Sequence, residues 1–156
     1  IKILKSNLYR HIEWPIVIML AAMIPIGQAL ESTGITALIA TEVVSLAGDL
    51  HIFWVLMIIL IITMLITDVI NNAATAVIMA PFSVNIALQL GQPLEPFLMV
   101  VAVGASCAFL TPIGHQCNTL VMGPGNYKFS DYWRLGLPLD ILIVLASIPM
   151  ILFVWL

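Results

Sequence analysis

Charged side chains are scarce in this sequence. Of its 156 residues only 8% are charged while 62% are hydrophobic, and the mean hydropathy is +1.15. A water-soluble domain carries about 25% charged residues, so this composition excludes a soluble protein and is typical of a helical protein that crosses the membrane repeatedly. We therefore expect an all-α integral membrane protein surrounded by the lipid bilayer, with no nucleic-acid partner.

Basic residues are missing from the whole centre of the chain. Lys and Arg together number five, and none of them lies between Arg10 and Lys128. The positive-inside rule places basic segments in the cytoplasm, so residues 1–11 and 127–134 are expected there. An even number of crossings must then separate the two segments, and the C-terminus is expected outside.

The sequence also lacks the residue groups that mark an enzyme or a metal centre. Its two cysteines, Cys107 and Cys117, have neither metal-ligand nor redox-motif spacing. No pair of catalytic carboxylates, nucleophile with its base, or His-rich cluster is recognisable. A membrane enzyme or a non-transporting scaffold is therefore the least favoured function, and no cofactor is expected. Because residue 1 is not methionine, we expect a piece of a longer polypeptide.

A full-length apolar run is absent where the middle of the chain would need one. The polar stretch Thr67–Thr75 separates two apolar arms, 52–66 and 76–90, and each arm is shorter than the about 20 residues that span a bilayer. Non-helical backbone survives at membrane depth only when it is buried in protein or lines a cavity. We expect residues 51–90 to form a re-entrant hairpin with its tip at 67–75, although four full crossings satisfy the charge rule equally well.

A second polar stretch, residues 111–119, interrupts the apolar segment 95–127 and contains Pro112 and Gly114. This pattern predicts a discontinuous transmembrane helix with an unwound loop at 111–119, the element that secondary transporters use at their binding sites. The remaining segments predict a span at 12–30, an interfacial helix at 32–48 and a last span at 131–156.

The two polar stretches offer ligands for ions of both signs. The end of the first arm presents carbonyl oxygens and the Thr67 hydroxyl, which suit sodium. The start of the second arm presents Asn71, Asn72 and the positive end of a helix, which suit an anion. The second stretch repeats the arrangement with carbonyls near Gly114, followed by four donors: His115, Gln116, Asn118 and Thr119.

Simpler interpretations of these residues stay open. Asn71 and Asn72 are also common helix caps, and Asp68 suits a structural acid as well as a coupling carboxylate. His115 is favoured as a neutral hydrogen-bond donor over a proton carrier. Asp140 is close enough to Arg134 along the last span to pair with it.

The combined pattern resembles the C-terminal repeat of the divalent-anion:sodium symporter family, the dicarboxylate and sulfate permeases of the ion transporter superfamily. The likeness covers nearly the whole chain from Glu13 onward, and it is carried by Trp14-Pro15, Thr67–Thr75, the turn at Gly91, Ala105–Pro112, Asn118 and Trp133–Gly136. The family's Ser-Asn-Thr signature is replaced here by Asn71-Asn72-Ala73, and its Thr-Pro-Pro-type loop by His115-Gln116-Cys117. These departures argue against a dicarboxylate, whereas the glycine-rich segment Met122–Tyr127 is similar to the branch that includes sulfate transporters.

The resemblance implies a transporter half-repeat that carries a divalent anion or oxyanion together with sodium, the coupling ion, by an elevator-type mechanism. It implies an N-terminal repeat in the same polypeptide, a homodimer and a bacterial inner (plasma) membrane. The implied sodium ligands are Thr67, Ile70, Asn71, Asn72 and Gly114. The implied anion ligands are Asn71, Asn72, Ala73, His115 and Gln116, to which Asn118 is added as a further donor.

A second function fits the same architecture. In a sodium/proton antiporter or an arsenite-type exporter, Asp68 and Asp140 would be the decisive carboxylates, since acidic residues inside the membrane are rare and functional by default.

Overall fold

The structure is a computed structural model that describes residues 51–156 throughout and, before them, residues 18, 21, 25, 29, 32–34 and 41. Except for those single positions, the predicted span at 12–30 and the predicted interfacial helix at 32–48 lie outside the described residues.

Helices account for most of residues 51–156. They are α1 (Ile52–Thr67), α2 (Asn72–Gln89), α3 (Leu94–Ala105), α4 (Gln116–Met122) and α5 (Phe129–Trp155). This part of the chain contains no strand, in agreement with the predicted all-α class. Among the described helices, α5 has the length and apolar composition to cross a membrane.

Helices α1 and α2 contact each other and are joined by residues 68–71. The first helix ends where the amide of Ile70 donates to the carbonyl of Ile66 at 2.8 Å. The second begins where the side chain of Asn71 accepts the amide of Ala74 at 2.8 Å, the usual bond of an N-cap. The turn is therefore tighter than the tip predicted at 67–75, since residues 72–75 already belong to α2. Its depth in the membrane stays a prediction.

Helix α3 lies at the centre of the described fold, where it packs against α1, α2 and α5. Its fully buried Phe97 and Val100 share the core with Leu56 and Leu60 of α1 and with Ile86 of α2. At Gly104 the helices are so close that an added Cβ would lie 2.9 Å from the Cβ of Thr63. A glycine here permits an approach that the larger side chains would prevent.

The break after α3 begins earlier than the sequence pattern predicts. Helix α3 ends at Ala105, residues 106–115 are not helical, and α4 already includes residues 116–119. The unwound loop predicted at 111–119 is therefore corrected to residues 106–115. The cause is hydrogen bonding to residues outside the helix. The amide of Leu110 donates to the side chain of Asp68, and the carbonyl of Ala108 accepts from the side chain of Asn118. These partners replace the bonds that continuing the helix would supply.

Candidate functional site

Thr67, the last residue of α1, is fully buried beside the ends of two other helices. Its hydroxyl lies 2.9 Å from Oδ1 of Asn72 in α2 and 3.0 Å from the carbonyl oxygen of Ala105 in α3. A hydroxyl carries a single hydrogen, so it donates to one of these acceptors at a time. Three helix ends therefore meet at one hydroxyl.

Asp68 connects the turn of the hairpin to the break after α3. Its Oδ1 accepts the amide of Leu110 at 2.9 Å, and its backbone carbonyl accepts the hydroxyl of Thr111 at 2.5 Å. The side chain is buried, and its Oδ2 has no hydrogen-bond partner among the described residues. The observed bonds fit the structural interpretation of Asp68, while Oδ2 keeps the coupling interpretation open.

Gly114 brings the break against the end of α1. An added Cβ at this buried position would lie 2.8 Å from the carbonyl oxygen of Thr67 and 3.0 Å from Cα of Asp68. Only a residue without a side chain permits this contact. The predicted sodium ligands Thr67, Asn72 and Gly114 are thus brought together, with carbonyl, carboxamide and hydroxyl oxygens, which are hard ligands suited to a small cation.

The other two predicted sodium ligands are arranged differently. The side chain of Ile70 is 40% exposed, and because it is a hydrocarbon without a ligand atom, only the backbone of this residue can contribute to an ion. The Asn71 side chain is exposed and caps α2 through Ala74. In the part of the chain that the structure describes, no group of His, Cys, Asp and Glu side chains could hold a metal ion.

Thr111 orders the break although sequence reasoning assigned it no role. Besides donating to Asp68, its hydroxyl accepts the amides of Gly114 at 3.1 Å and Ile113 at 3.2 Å. A threonine that binds amides two and three residues ahead forms a local turn. The signal was present in the sequence as Thr111-Pro112 followed by Gly114.

The predicted anion ligands form two groups. Asn72 and Ala73 are half-buried in the first turn of α2, whereas His115 and Gln116 are exposed at the start of α4. In residues 51–156 no hydrogen bond joins Asn72 or Ala73 to His115 or Gln116. The Nδ1 atom of His115 accepts the amide of Cys117 at 3.2 Å. A neutral His115 consequently carries its proton on Nε2 and has one donor to offer.

Asn118 is half-buried and faces the chain itself. Its Nδ2 donates to the carbonyl of Ala108 at 2.8 Å and to the carbonyl of Thr111 at 3.1 Å. The backbone carbonyl of Asn118 accepts a hydrogen bond from the hydroxyl of Tyr132 at 2.6 Å. Nothing in the sequence pointed to Tyr132, which reads as one more aromatic residue at the membrane interface.

Asp140 lies apart from these bonds, in α5. It lines a cavity of about 290 Å³ between α1 and α5, which Met64, Leu110 and Val144 also line, and its Oδ1 is buried with no partner among the described residues. The structure records no ion pair between Asp140 and Arg134 in this part of the chain, so the expected local pairing is not observed.

Comparison with known proteins identifies the family. The sequence profile of a family described as citrate transporters matches residues 2–104. The chain belongs to this family. It is a member of the divalent-anion:sodium symporters, as the motif at the hairpin turn predicts, and relatives named sodium/sulfate cotransporters support the same assignment.

Individual relatives extend the match to residues after 104. An uncharacterised transporter of Synechocystis sp. is 36% identical over 150 residues, which are 96% of this chain and 24% of that protein. The uncharacterised transporter YfbS of Escherichia coli is 40% identical over 146 residues, 94% of this chain and 24% of its own length. Sodium/sulfate cotransporter 2 of Chlamydomonas reinhardtii is 28% identical over 139 residues, 88% of this chain and 16% of the relative. The family member described here spans about a quarter of the length of the first two.

Proposed function

We propose that this family member forms part of a secondary active transporter that moves a sulfate-like oxyanion together with sodium. The contact between Gly114 and the carbonyl of Thr67 carries the proposal. It brings two stretches of non-helical backbone together at the ends of α1 and α3. Such meeting points of broken helices are where secondary transporters bind their coupling ions.

Sodium binds, in this proposal, among the oxygen atoms at the hairpin turn. The carbonyl of Thr67, the backbone of Ile70 and Gly114, and the carboxamides of Asn71 and Asn72 supply the ligands. The negative end of the α1 dipole adds to the attraction, because the last carbonyls of a helix carry partial negative charge. Neutral oxygen ligands leave the net positive charge of the ion available to the anion beside it.

The anion binds on the opposite side of the turn. The α2 dipole directs its positive end toward Asn72 and Ala73, and His115 and Gln116 contribute side-chain donors from the start of α4. None of these groups is charged when His115 is neutral, so the adjacent sodium ion supplies the compensating charge. Sodium and anion therefore bind more tightly together than separately, and this mutual stabilisation couples their movement.

The rest of the proposed machinery follows the family. The hairpin reaches into the membrane without crossing it, an N-terminal repeat of the same polypeptide completes the site, and the loaded site shifts across the membrane against a dimeric scaffold in an elevator-type movement. A bound cation offsets part of the charge of the anion and so lowers the cost of such a shift through a low-dielectric region.

Uptake by the intact polypeptide in proteoliposomes tests the proposal. Labelled sulfate, citrate and succinate are each supplied with and without an inward sodium gradient. We expect sodium-dependent uptake with sulfate preferred over succinate, and citrate is included because of the family's description. Flux of all three anions that ignores sodium would rule out the proposed coupling.

One observation favours sodium/proton antiport as the second candidate: Asp68 Oδ2 and Asp140 Oδ1 are both buried without a hydrogen-bond partner among the described residues. Antiport requires at least one of these carboxylates. Asp68→Asn and Asp140→Asn, assayed for sodium-driven proton movement in the same vesicles, separate the candidates. Full activity in both single variants and in the double variant would eliminate antiport through these acids.

A further inference from the structure

Asn118 occupies the centre of a hydrogen-bonded chain that runs from α5 to the hairpin turn. The hydroxyl of Tyr132 in α5 donates to the backbone carbonyl of Asn118 at 2.6 Å. Asn118 donates through Nδ2 to the carbonyls of Ala108 at 2.8 Å and Thr111 at 3.1 Å. Thr111 then donates to the carbonyl of Asp68 at 2.5 Å. Four separate segments of the chain are connected by these bonds.

Both N–H groups of the Asn118 side chain are already engaged in hydrogen bonds. A carboxamide has two N–H groups, and the two carbonyls of the break accept from the same Nδ2 atom. An anion needs donors, so binding one at this side chain would require breaking bonds to Ala108 or Thr111. Either carbonyl would then lose its partner in a half-buried region, which is costly.

We infer that Asn118 is a positioning residue that fixes the break between α3 and α4, and that Tyr132 anchors it to α5. Through Thr111, whose hydroxyl also accepts the amide of Gly114 at 3.1 Å, the pair sets the place of Gly114 against Thr67. The role in transport rests on the proposed function, because it concerns the site where sodium binds. The role in holding the break does not.

Two transport constants separate a positioning residue from a ligand. Losing an anion ligand weakens the apparent affinity for the anion at saturating sodium. Losing the positioning bond displaces Gly114 as well, so the concentrations of sodium and of sulfate that give half-maximal uptake rise together. For Asn118→Ala we expect both to rise about tenfold, the factor for about 1.4 kcal/mol. Gln116→Ala, in the exposed donor two residues earlier, is expected to raise only the value for sulfate when each ion is titrated at a saturating concentration of the other.

The two cysteines provide a readout that needs no transport. Cys107 is buried at the start of the break, one residue before the carbonyl that Asn118 holds, and Cys117 is exposed. In the intact polypeptide we expect a thiol-reactive maleimide to label Cys117 and to spare Cys107, as scored by mass spectrometry of the two peptides. Asn118→Ala is expected to raise labelling of Cys107 relative to Cys117 about tenfold, because the adjacent residue Ala108 loses the hydrogen bond to its carbonyl and this part of the break opens more often.

Tyr132→Phe removes one bond and keeps the ring, so it tests the anchor if Asn118→Ala fails to fold. Its expected effect on the labelling ratio is smaller, about threefold. Matched controls are Tyr127→Phe, in the neighbouring ring of the same aromatic pair, and Asn85→Ala, which removes another half-buried asparagine bonded to a carbonyl, that of Pro81 at 2.9 Å. Both controls should leave Cys107 protected.

The inference is overturned if Cys107 stays protected in Asn118→Ala and Tyr132→Phe, or if Asn118→Ala raises the half-saturating sulfate concentration alone, as Gln116→Ala does. If the intact wild-type polypeptide shows no sodium-dependent uptake, the proposed function fails, and the labelling ratios still decide the role of Asn118 in holding the break.

Discussion

At the scale of single residues, Gly114 is a position beside the candidate site where the structure leaves no room for a side chain. A Cβ added at Gly114 would lie 2.8 Å from the carbonyl oxygen of Thr67 and 2.9 Å from the Cβ of Ala108. Real Cβ atoms do not approach backbone so closely, and neither neighbour is a flexible side-chain end. Alanine at this position must push the break away from α1.

We predict that Gly114→Ala raises the sodium concentration for half-maximal uptake about tenfold or more, since overpacking typically costs 1–3 kcal/mol. Sodium titration of uptake in proteoliposomes measures this. Gly123→Ala is the matched control, because an added Cβ there has nothing within 4 Å. Equal sodium dependence in the two variants would contradict the sodium site.

Asn71 combines two roles that a pair of substitutions separates. Its side chain caps α2, and serine is an equally good cap. We predict that Asn71→Ser keeps the thermal stability of wild type while Asn71→Ala loses about 1 kcal/mol, and that both lose most of the uptake, because neither replaces the carboxamide at the proposed site. Thermal unfolding in detergent and uptake assays measure the two properties. Full uptake by Asn71→Ser would reduce Asn71 to a cap.

At the scale of helices, the sequence predicts those ends that depend on local chemistry. Asn71 announces the start of α2 because a capping asparagine bonds to amides close to it in the chain. The end of α3 is different. Residues 106–110 are apolar enough to continue a helix. They are not helical because the amide of Leu110 donates instead to the side chain of Asp68, a residue 42 positions earlier in the chain. A pattern read along one segment contains no information about such a partner.

The same limit applies to the candidate site. The resemblance to the family implied Thr67, Asn72 and Gly114 as sodium ligands, and the structure brings these three residues close together. Their binding of sodium stays a prediction. Tyr132 was not predicted, because its bond to Asn118 depends on where the start of α5 lies relative to α4.

Packing between α1 and α3 leads to a prediction at this scale. At Gly104 an added Cβ would lie 2.9 Å from the Cβ of Thr63 and 3.2 Å from Cδ1 of Leu60. We predict that Gly104→Ala destabilises the protein by about 1–3 kcal/mol, because the two helices must separate. A lower midpoint of thermal unfolding in detergent, compared with Gly123→Ala, would show this. Unchanged midpoints would mean that the helices are less tightly packed than the structure indicates.

At the scale of the whole molecule, much of the apolar surface of α5 is exposed. In this 27-residue helix, Gly136, Ile148 and Ile151 are the residues with buried side chains or backbone. Lipid is one partner for such a surface, and the further chain that longer relatives possess is another. The basic residues predict which way the helix runs, because the Lys128–Arg134 segment precedes it and the positive-inside rule predicts a cytoplasmic position for such a segment.

Labelling of single cysteines in intact cells tests this orientation. Glu95, in the first turn of α3, and Ser130, in the first turn of α5, are both exposed. If the Lys128–Arg134 segment is inside, the chain from α3 through α4 must run from the outer side of the membrane to the inner side. We predict that Glu95→Cys reacts with a membrane-impermeant maleimide in intact cells and that Ser130→Cys reacts only after permeabilisation. The wild-type cysteines give the background. The reverse labelling pattern would mean that the α1–α2 hairpin enters the membrane from the cytoplasmic side. Sodium and the anion would then reach the site from the other side of the membrane.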